Sequence, residues 1–311
     1  MIDITHKPLT LRYAKAEGWL EMQPATLQRI TEGKVAKGDV QATARVAGIE
    51  SAKRTSDWII FTHPIPLDGV EVYAELENGG LHIIAEVQSV WKTGVEIEAI
   101  TAVTGALLNA LDMLKPYDTN LRMTNIQVTE KRGGTNDFKD SFDPPLTAAV
   151  LVISDSTFAG NRKDKSGKII KEMLQQQDVS VEVYDVLPDD EAKIKQRVAG
   201  LIEDNMQLII TTGGTGFGPK DVTPEALRYL IDKPAPGINE RIRSYGSDRT
   251  PYAMLSREIA GMAGQSLILT LPGSSKGARE SMQALFPGVL HLFRMMWGGG
   301  HGPNDNTTEK V

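Results

Sequence analysis

From residue 148 onward, short apolar runs of strand character alternate with amphipathic helical segments. Residues 148–153, 179–187, 208–212 and 267–271 read as strands. Residues 168–176 and 191–203 read as helices, and Thr223-Pro224-Glu225 opens another. Strands alternating with helices in this way form a parallel sheet with both faces covered. Ligands on such sheets sit beyond the carboxyl ends of the strands. Two glycine turns, Gly213-Gly214-Thr215-Gly216 and Pro272-Gly273, fall at such ends.

The first half is organised differently. Residues 24–30 read as a short helix opened by Pro24, and Asp39 is placed to cap a helix running to about Lys53. Residues 70–76 and 81–89 pair as strands around Asn78-Gly79-Gly80. Residues 95–115 form a long helix whose apolar stripe includes Ile100, Val103, Leu107 and Leu111, and residues 121–129 form a further strand. This is an α+β arrangement. Residues 131–145 are polar, with two glycines and two prolines, and read as the end of one domain and a linker. The expected division is one domain over residues 1–140, a second over 146–298 and a flexible tail over 299–311.

With 311 residues, 41% of them hydrophobic, each half can bury its own core. The absence of cysteine excludes disulfides, thiolate zinc sites and Cys nucleophiles, and fits a reducing cytoplasm. The net charge of −6 argues against sequence-independent nucleic-acid binding and leaves room for a local cationic pocket. The N-terminus has no signal-type apolar stretch, and the longest apolar run, 148–153, is far below the ~18 residues of a membrane span. A cytoplasmic chain with neither a nucleic-acid nor a membrane partner is expected.

In the first half, Lys37, Lys53 and Arg54 gather around one helix, which on charge alone is a solvated face. His63 sits in the turn His63-Pro64-Ile65-Pro66, where a lone histidine is more often structural than catalytic. At 100° per residue, Glu98 and Asp112 share a face of the long helix, and Asp112 and Lys115 are neighbours one turn apart. A carboxylate beside an ammonium suits proton transfer. The same pair also makes an ordinary surface salt bridge.

Ordered motifs carry the reading further. Gly38-Asp39-Val40, Ala42-Thr43-Ala44-Arg45, Ala47-Gly48-Ile49 and Ala52-Lys53-Arg54-Thr55 with Asp57 resemble the MoaC family. So do His63-Pro64, Thr93-Gly94-Val95-Glu96-Ile97-Glu98-Ala99 and Asp112-Met113-Leu114-Lys115, and the likeness covers nearly all of residues 1–140. The resemblance implies a ferredoxin-like, hexameric cyclic pyranopterin monophosphate synthase with sites built between subunits and no tightly bound cofactor. Such an enzyme converts 3′,8-cyclo-7,8-dihydro-GTP into the pyranopterin cyclic phosphate and releases pyrophosphate. Carried over by motif, Asp112 and Lys115 are the acid/base pair, with Lys37 and His63 in the catalytic set. Lys37, Lys53, Arg54 and Arg12 bind the triphosphate; Phe61, Thr62, His63, Ile97 and Glu98 bind the substrate; Lys131 belongs to a mobile C-terminal motif. Two positions depart from the family. Thr62 stands where cysteine is usual, and Lys131-Arg132-Gly133-Gly134-Thr135-Asn136 lacks the second lysine of Lys-Ser-Gly-Gly-Lys-Ser-Gly.

In the second half, glycines let the backbone approach a phosphate, and the helix N-terminus that follows attracts anions. A tight strand–helix turn alone explains the same residues. The spacing fits neither a Walker A loop nor Gly-x-Gly-x-x-Gly. Together with Leu187-Pro188-Asp189-Asp190-Glu191, Ser154-Asp155 and Leu271-Pro272-Gly273-Ser274, the turn makes residues 146–298 resemble the MoaB/MogA family of molybdopterin-binding proteins. The resemblance implies a three-layer α/β/α fold with a mostly parallel sheet, commonly trimeric. Gly213, Gly214, Thr215, Gly216 and Ser274 would hold the pterin phosphate. In active members AMP is transferred from ATP with Mg²⁺, for which Asp189 and Asp221 would be the catalytic and metal-handling carboxylates. Aspartates at such places also cap helices. The combined expectation is a bifunctional, homo-oligomeric molybdenum cofactor biosynthesis protein. The alternative makes the second half a non-catalytic pterin-binding scaffold.

Overall fold

The computed structural model describes residues 1–77 and 79–298, so the expected tail at 299–311 and Asn78 of the expected turn lie outside the described residues. The chain divides into two units, Met1–Asp137 and the remainder from Phe138.

The first unit runs β1 (Thr10–Glu21), α1 (Pro24–Thr31), α2 (Val40–Lys53), α3 (Thr55–Trp58), β2 (Gly69–Glu77), β3 (Gly80–Trp91), α4 (Glu96–Leu114) and β4 (Arg122–Arg132). Its sheet has the order β2-β3-β1-β4, with every neighbouring pair antiparallel. The expected helices and strand pair are present, and Asp39 caps α2 by accepting the Ala42 amide at 3.0 Å. β1 is an addition, and it occupies a central place. Its inward residues are Ala14, Ala16, Gly18 and Leu20, so the alternation is written in small residues with little strand propensity. Their size has a packing reason: a Cβ at Gly18 would stand 2.9–3.0 Å from Val103, Ile126 and Leu107. Helix α4 therefore lies directly on β1. It is long and apolar enough, by length and composition, to cross a membrane, yet 61% of its apolar 18-residue window is buried, as in the core helix of this unit. Lys37, just before α2, meets Asp112 near the end of α4, and a Cβ at Gly48 would stand 3.0 Å from the Ala102 carbonyl. The two helices thus run antiparallel in close contact.

The second unit contains β5 (Thr147–Ile153), α5 (Asp155–Phe158), α6 (Ser166–Gln175), β6 (Ser180–Leu187), α7 (Glu191–Glu203), β7 (Leu208–Thr212) and α8 (Thr223–Arg228). It continues with β8 (Lys233–Pro234), α9 (Pro236–Ser247), β9 (Ala260–Ala263), β10 (Ser266–Leu271), α10 (Ser275–Leu285) and α11 (His291–Met296). The sheet order is β6-β5-β7-β10-β9-β8. The first four strands are parallel; β9 and β8 add an antiparallel edge that the sequence reading did not contain. Along β5, Ala148 and Val150 face one core, with Ile170, Leu174, Met282 and Phe293. Ala149, Leu151 and Ile153 face the other, with Ile194, Val198 and Leu227. Two cores on alternate residues of one strand mean helices on both faces of the sheet.

Residues 131–145 are less of a tether than their composition suggests. Lys131 and Arg132 still belong to β4, and Thr135–Phe138 is a single 3₁₀ turn. The Asp140 carboxylate then bonds His291 at 2.8 Å and Arg294 at 3.0 Å, and Phe142 packs edge-on against Trp297 at 5.8 Å. A partly buried acid and an aromatic contact thus join this polar segment to its unit.

Candidate active sites

In the first unit, the stretch before α2 and the end of α4 bring three charged side chains together. Lys37 Nζ donates to Asp112 Oδ2 at 2.5 Å and to the Asp112 carbonyl at 2.9 Å, while Lys115 Nζ lies 2.7 Å from Asp112 Oδ1. All three side chains are about half exposed, open to a ligand. The two ammonium groups, Lys115 first, hold the Asp112 carboxyl down to about 2, so it is ionised at any working pH.

The other candidates of this unit gather toward the opposite end of α4. Arg12, on β1, is buried and donates to the carbonyls of Trp91 and Lys92, both at 3.2 Å. Lys131, on β4, approaches Glu96 at 3.8 Å. Ile97 is exposed, whereas Glu98 is only 3% exposed, and burial pushes its carboxyl up to about 7. Lys53 and Arg54 end α2, where Arg54 is engaged by Asp57 at 3.0 Å. Phe61, Thr62 and His63 follow α3; Phe61 is 77% exposed and Thr62 donates to the Ile59 carbonyl at 2.9 Å. Fourteen residues of helix separate Glu98 from Asp112, about 21 Å at 1.5 Å per residue. Within one copy, then, Glu98, buried, and the Asp112 cluster, about half exposed, do not meet. Arg132, which stands in the altered motif, is held by its own sheet, stacked 4.2 Å over Tyr13 and paired with Glu130 at 2.8 Å.

In the second unit the glycine turn is fixed by backbone geometry. Gly213 has φ +107°, and a Cβ there would stand 2.2 Å from the Ile153 carbonyl. Thr223 stitches the turn to α8, its hydroxyl donating to the Gly213 carbonyl at 2.9 Å and its amide to the Gly214 carbonyl at 3.1 Å. A cavity of about 340 Å³ opens beside it, lined by Gly213, Gly214, Asp189, Asp221 and Ser274. Thr215 and Gly216 complete the turn. Asp189 and Asp155 exchange bonds: Asp189 Oδ2 accepts the Asp155 amide at 2.8 Å and Asp155 Oδ1 accepts the Asp189 amide at 3.1 Å. Asp221 Oδ2 accepts the Gly218 amide at 2.8 Å. Ser274 caps α10, accepting the Gly277 amide at 3.0 Å.

Several residues of this site were missed by the sequence reading. Arg162, Lys163 and Lys165 line the same cavity, are exposed, and form no ion pair among the described residues. Their signal was visible as a cationic run directly before α6. Arg257 gave no such signal. It donates to the Gly216 carbonyl at 2.6 Å and the Asp221 carbonyl at 2.7 Å, and pairs with Glu225, clamping the turn against the segment that carries Asp221. Lys220 pairs with Asp155 at 2.6 Å. A metal would find two hard carboxylates here, but among the described residues no group of three or more His, Cys, Asp or Glu could hold one alone.

Each unit matches a known protein family. The MoaC family matches residues 1–134, and the family described as "Probable molybdopterin binding domain" matches residues 149–291. A "Molybdenum cofactor biosynthesis bifunctional protein" of Chlorobaculum tepidum is 36% identical over 301 residues, 97% of this chain and 96% of its own length. One of Synechococcus elongatus is 35% identical over 315 residues, 97% of this chain and 99% of its own. A "Cyclic pyranopterin monophosphate synthase" of Thermomicrobium roseum is 48% identical over 136 residues, 43% of this chain and 82% of its own.

Proposed function

The chain belongs to the family of bifunctional molybdenum cofactor biosynthesis proteins, with a MoaC-family domain followed by a molybdopterin-binding domain of the MoaB/MogA kind, and from that premise we propose an activity for each unit. The first is a cyclic pyranopterin monophosphate synthase that rearranges 3′,8-cyclo-7,8-dihydro-GTP and releases pyrophosphate. The observation that carries this is the Lys37–Asp112–Lys115 cluster, in which an ionised carboxylate orients two ammonium groups that can give or take a proton. Lys53, Arg54, Arg12 and Lys131 supply the cations for the triphosphate. They lie toward the far end of α4, so the site is composite, assembled from neighbouring copies in a homo-oligomer, a hexamer for this unit. Ile60 and Phe61, 83% and 77% exposed, support such an association surface. The succession β-α-β-β-α-β and the order β2-β3-β1-β4 support a ferredoxin-like fold.

The second unit binds molybdopterin and adenylylates it with ATP. The supporting observation is one cavity that joins the glycine turn, Asp189, Asp221 and three cations. Asp189 and Asp221 would hold Mg²⁺, which supplies charge neutralisation for the ATP phosphates. The turn orients the pterin phosphate so that its oxygen attacks the α-phosphorus and pyrophosphate leaves. The alternative, a binding scaffold, draws on the backbone bonds that Asp189 and Asp221 make, which need no catalysis. The full chain, incubated with molybdopterin, labelled ATP and Mg²⁺, separates the two. Asp221→Asn is expected to keep pterin binding, stop AMP transfer and leave pyrophosphate release by the first unit unchanged. A wild-type chain that binds the pterin and never transfers AMP is a scaffold.

A further inference from the structure

The second unit holds another cavity, of about 350 Å³, on the other side of the glycine turn. Gly216 borders it, as Gly213 and Gly214 border the phosphate cavity, and Ser274 lines both. The two are therefore adjoining compartments of one site with different chemistry. The phosphate compartment carries Arg162, Lys163 and Lys165. The other is walled by Ile242, Tyr252 and Leu255, with Arg243, Glu258 and Glu280 as its charged residues.

Glu258 is the unusual member. Its side chain is 1% exposed, and its Oε2 accepts no hydrogen bond among the described residues. Arg243 Nη1 stands 3.8 Å from that oxygen, beyond hydrogen-bond range. Glu280 is itself only 15% exposed and is approached by Lys276 at 3.8 Å. Burial raises the Glu258 carboxyl above its ordinary range despite Ser256, its own amide and Arg243. A buried acceptor is normally paired inside the protein. Glu258 Oε2, with a cation 3.8 Å away and no hydrogen bond among the described residues, keeps its accepting capacity for a further donor.

We propose that this compartment takes the heterocycle of the substrate and that Glu258 reads its 2-amino-4-oxopyrimidine edge. That edge presents a ring N–H and an amino N–H side by side, and the Glu258 oxygen without a hydrogen bond, Oε2, is placed to accept the amino N–H. Adenine places a ring acceptor beside its amino group, and an ionised carboxylate has nothing to donate to it. The geometry thus divides the site: pterin ring against Glu258, its phosphate at the glycine turn, nucleotide phosphates among the cations beyond. The inference rests on the reading of the second unit as a molybdopterin-binding domain and adds the residue that selects the ring.

The test is a fluorescence titration of the full chain with neopterin monophosphate, repeated with the analogue bearing oxygen in place of the 2-amino group. In the wild-type protein the analogue is expected to bind roughly ten- to hundredfold more weakly, the range of charge-assisted hydrogen bonds lost from a buried site. Glu258→Gln is expected to weaken neopterin monophosphate by a similar factor, to lose the discrimination between the two ligands, and to leave Mg-ATP binding unchanged. The analogue comparison needs no variant and so stands even if Glu258→Gln unfolds. Equal binding of the two ligands by the wild-type protein would overturn the role of Glu258 while leaving the domain a pterin binder. No binding of either would instead overturn the molybdopterin reading itself. Guanine carries the same edge, so GTP is a third arm. GTP binding that depends on Glu258 as strongly as the pterin's does would overturn the assignment to a pterin.

Discussion

Glu98 and Asp112 occupy one helix and titrate in opposite directions, because one is buried among apolar neighbours and the other is held between two ammonium groups. Asp112 is ionised throughout the working range, so in the proposed mechanism the proton that moves in this cluster belongs to a lysine. Lys115→Ala is expected to lower pyranopterin formation by ~10²–10⁴, the usual weight of a general acid or base. Lys115→Arg should be nearly as damaging, since a guanidinium keeps the charge but does not give up its proton. Steady-state pyrophosphate release measures both, and near-normal turnover in the arginine variant would reduce Lys115 to a fixed charge. Glu98 makes a different prediction. Its carboxyl titrates near 7 in the fold and near 4.5 unfolded, so between those values the native state keeps a proton that the unfolded chain has lost. Stability therefore falls as pH rises through that window, by at most about 3 kcal/mol. Glu98→Gln should match the wild type near pH 4.5 and exceed it at pH 8 in urea unfolding. A difference that does not change with pH would show that the carboxyl does not titrate in that window.

At the scale of elements, glycines show how local conformation and tertiary approach combine. Gly213 needs both: its φ is positive, and the Ile153 carbonyl leaves no room for a Cβ. Because the obstacle is backbone, Gly213→Ala should lower stability by about 1–3 kcal/mol and abolish phosphate binding at the turn. Gly200 lies within α7 with nothing within 4 Å of its Cβ position. Gly200→Ala should therefore raise stability by about 0.5–1 kcal/mol, the ordinary helix gain. Thermal unfolding of the pair reads both signs, and a stabilised Gly213→Ala protein would show that the turn relaxes. The glycine turn was legible because such chemistry is encoded in adjacent residues. β1 was not, because its alternation of Ala14, Ala16, Gly18 and Leu20 gains meaning only when α4 is laid against it.

At the scale of the molecule, each unit has its own core. In the function proposed for the first unit the site is completed by a neighbouring copy, because α4 separates Glu98 from Asp112 by about 21 Å. This makes a complementation experiment decisive. Lys115→Ala and Arg54→Ala chains, each inactive alone, should regain synthase activity when co-expressed, because some mixed oligomers contain one intact composite site. If no activity returns although mixed oligomers form, both residues serve the same site from the same chain.

What the amino-acid sequence determined by itself was whatever depends on near neighbours along the chain. The Asp39 cap, the parallel strand–helix alternation, the phosphate-type turn and the identity of the charged residues all belong here. Each is set by backbone preference, by hydrogen bonds a few residues long or by hydrophobic period. What only the tertiary structure decided was whatever depends on distant segments meeting. The central strand β1 and the antiparallel edge β9–β8 are of this kind, as are the burial that raises Glu98 and the clamp of Arg257 on the glycine turn. So is the Glu258 oxygen in the cavity wall that accepts no hydrogen bond among the described residues. Burial and distance are properties of the packed chain, and no window of sequence contains the residues that create them.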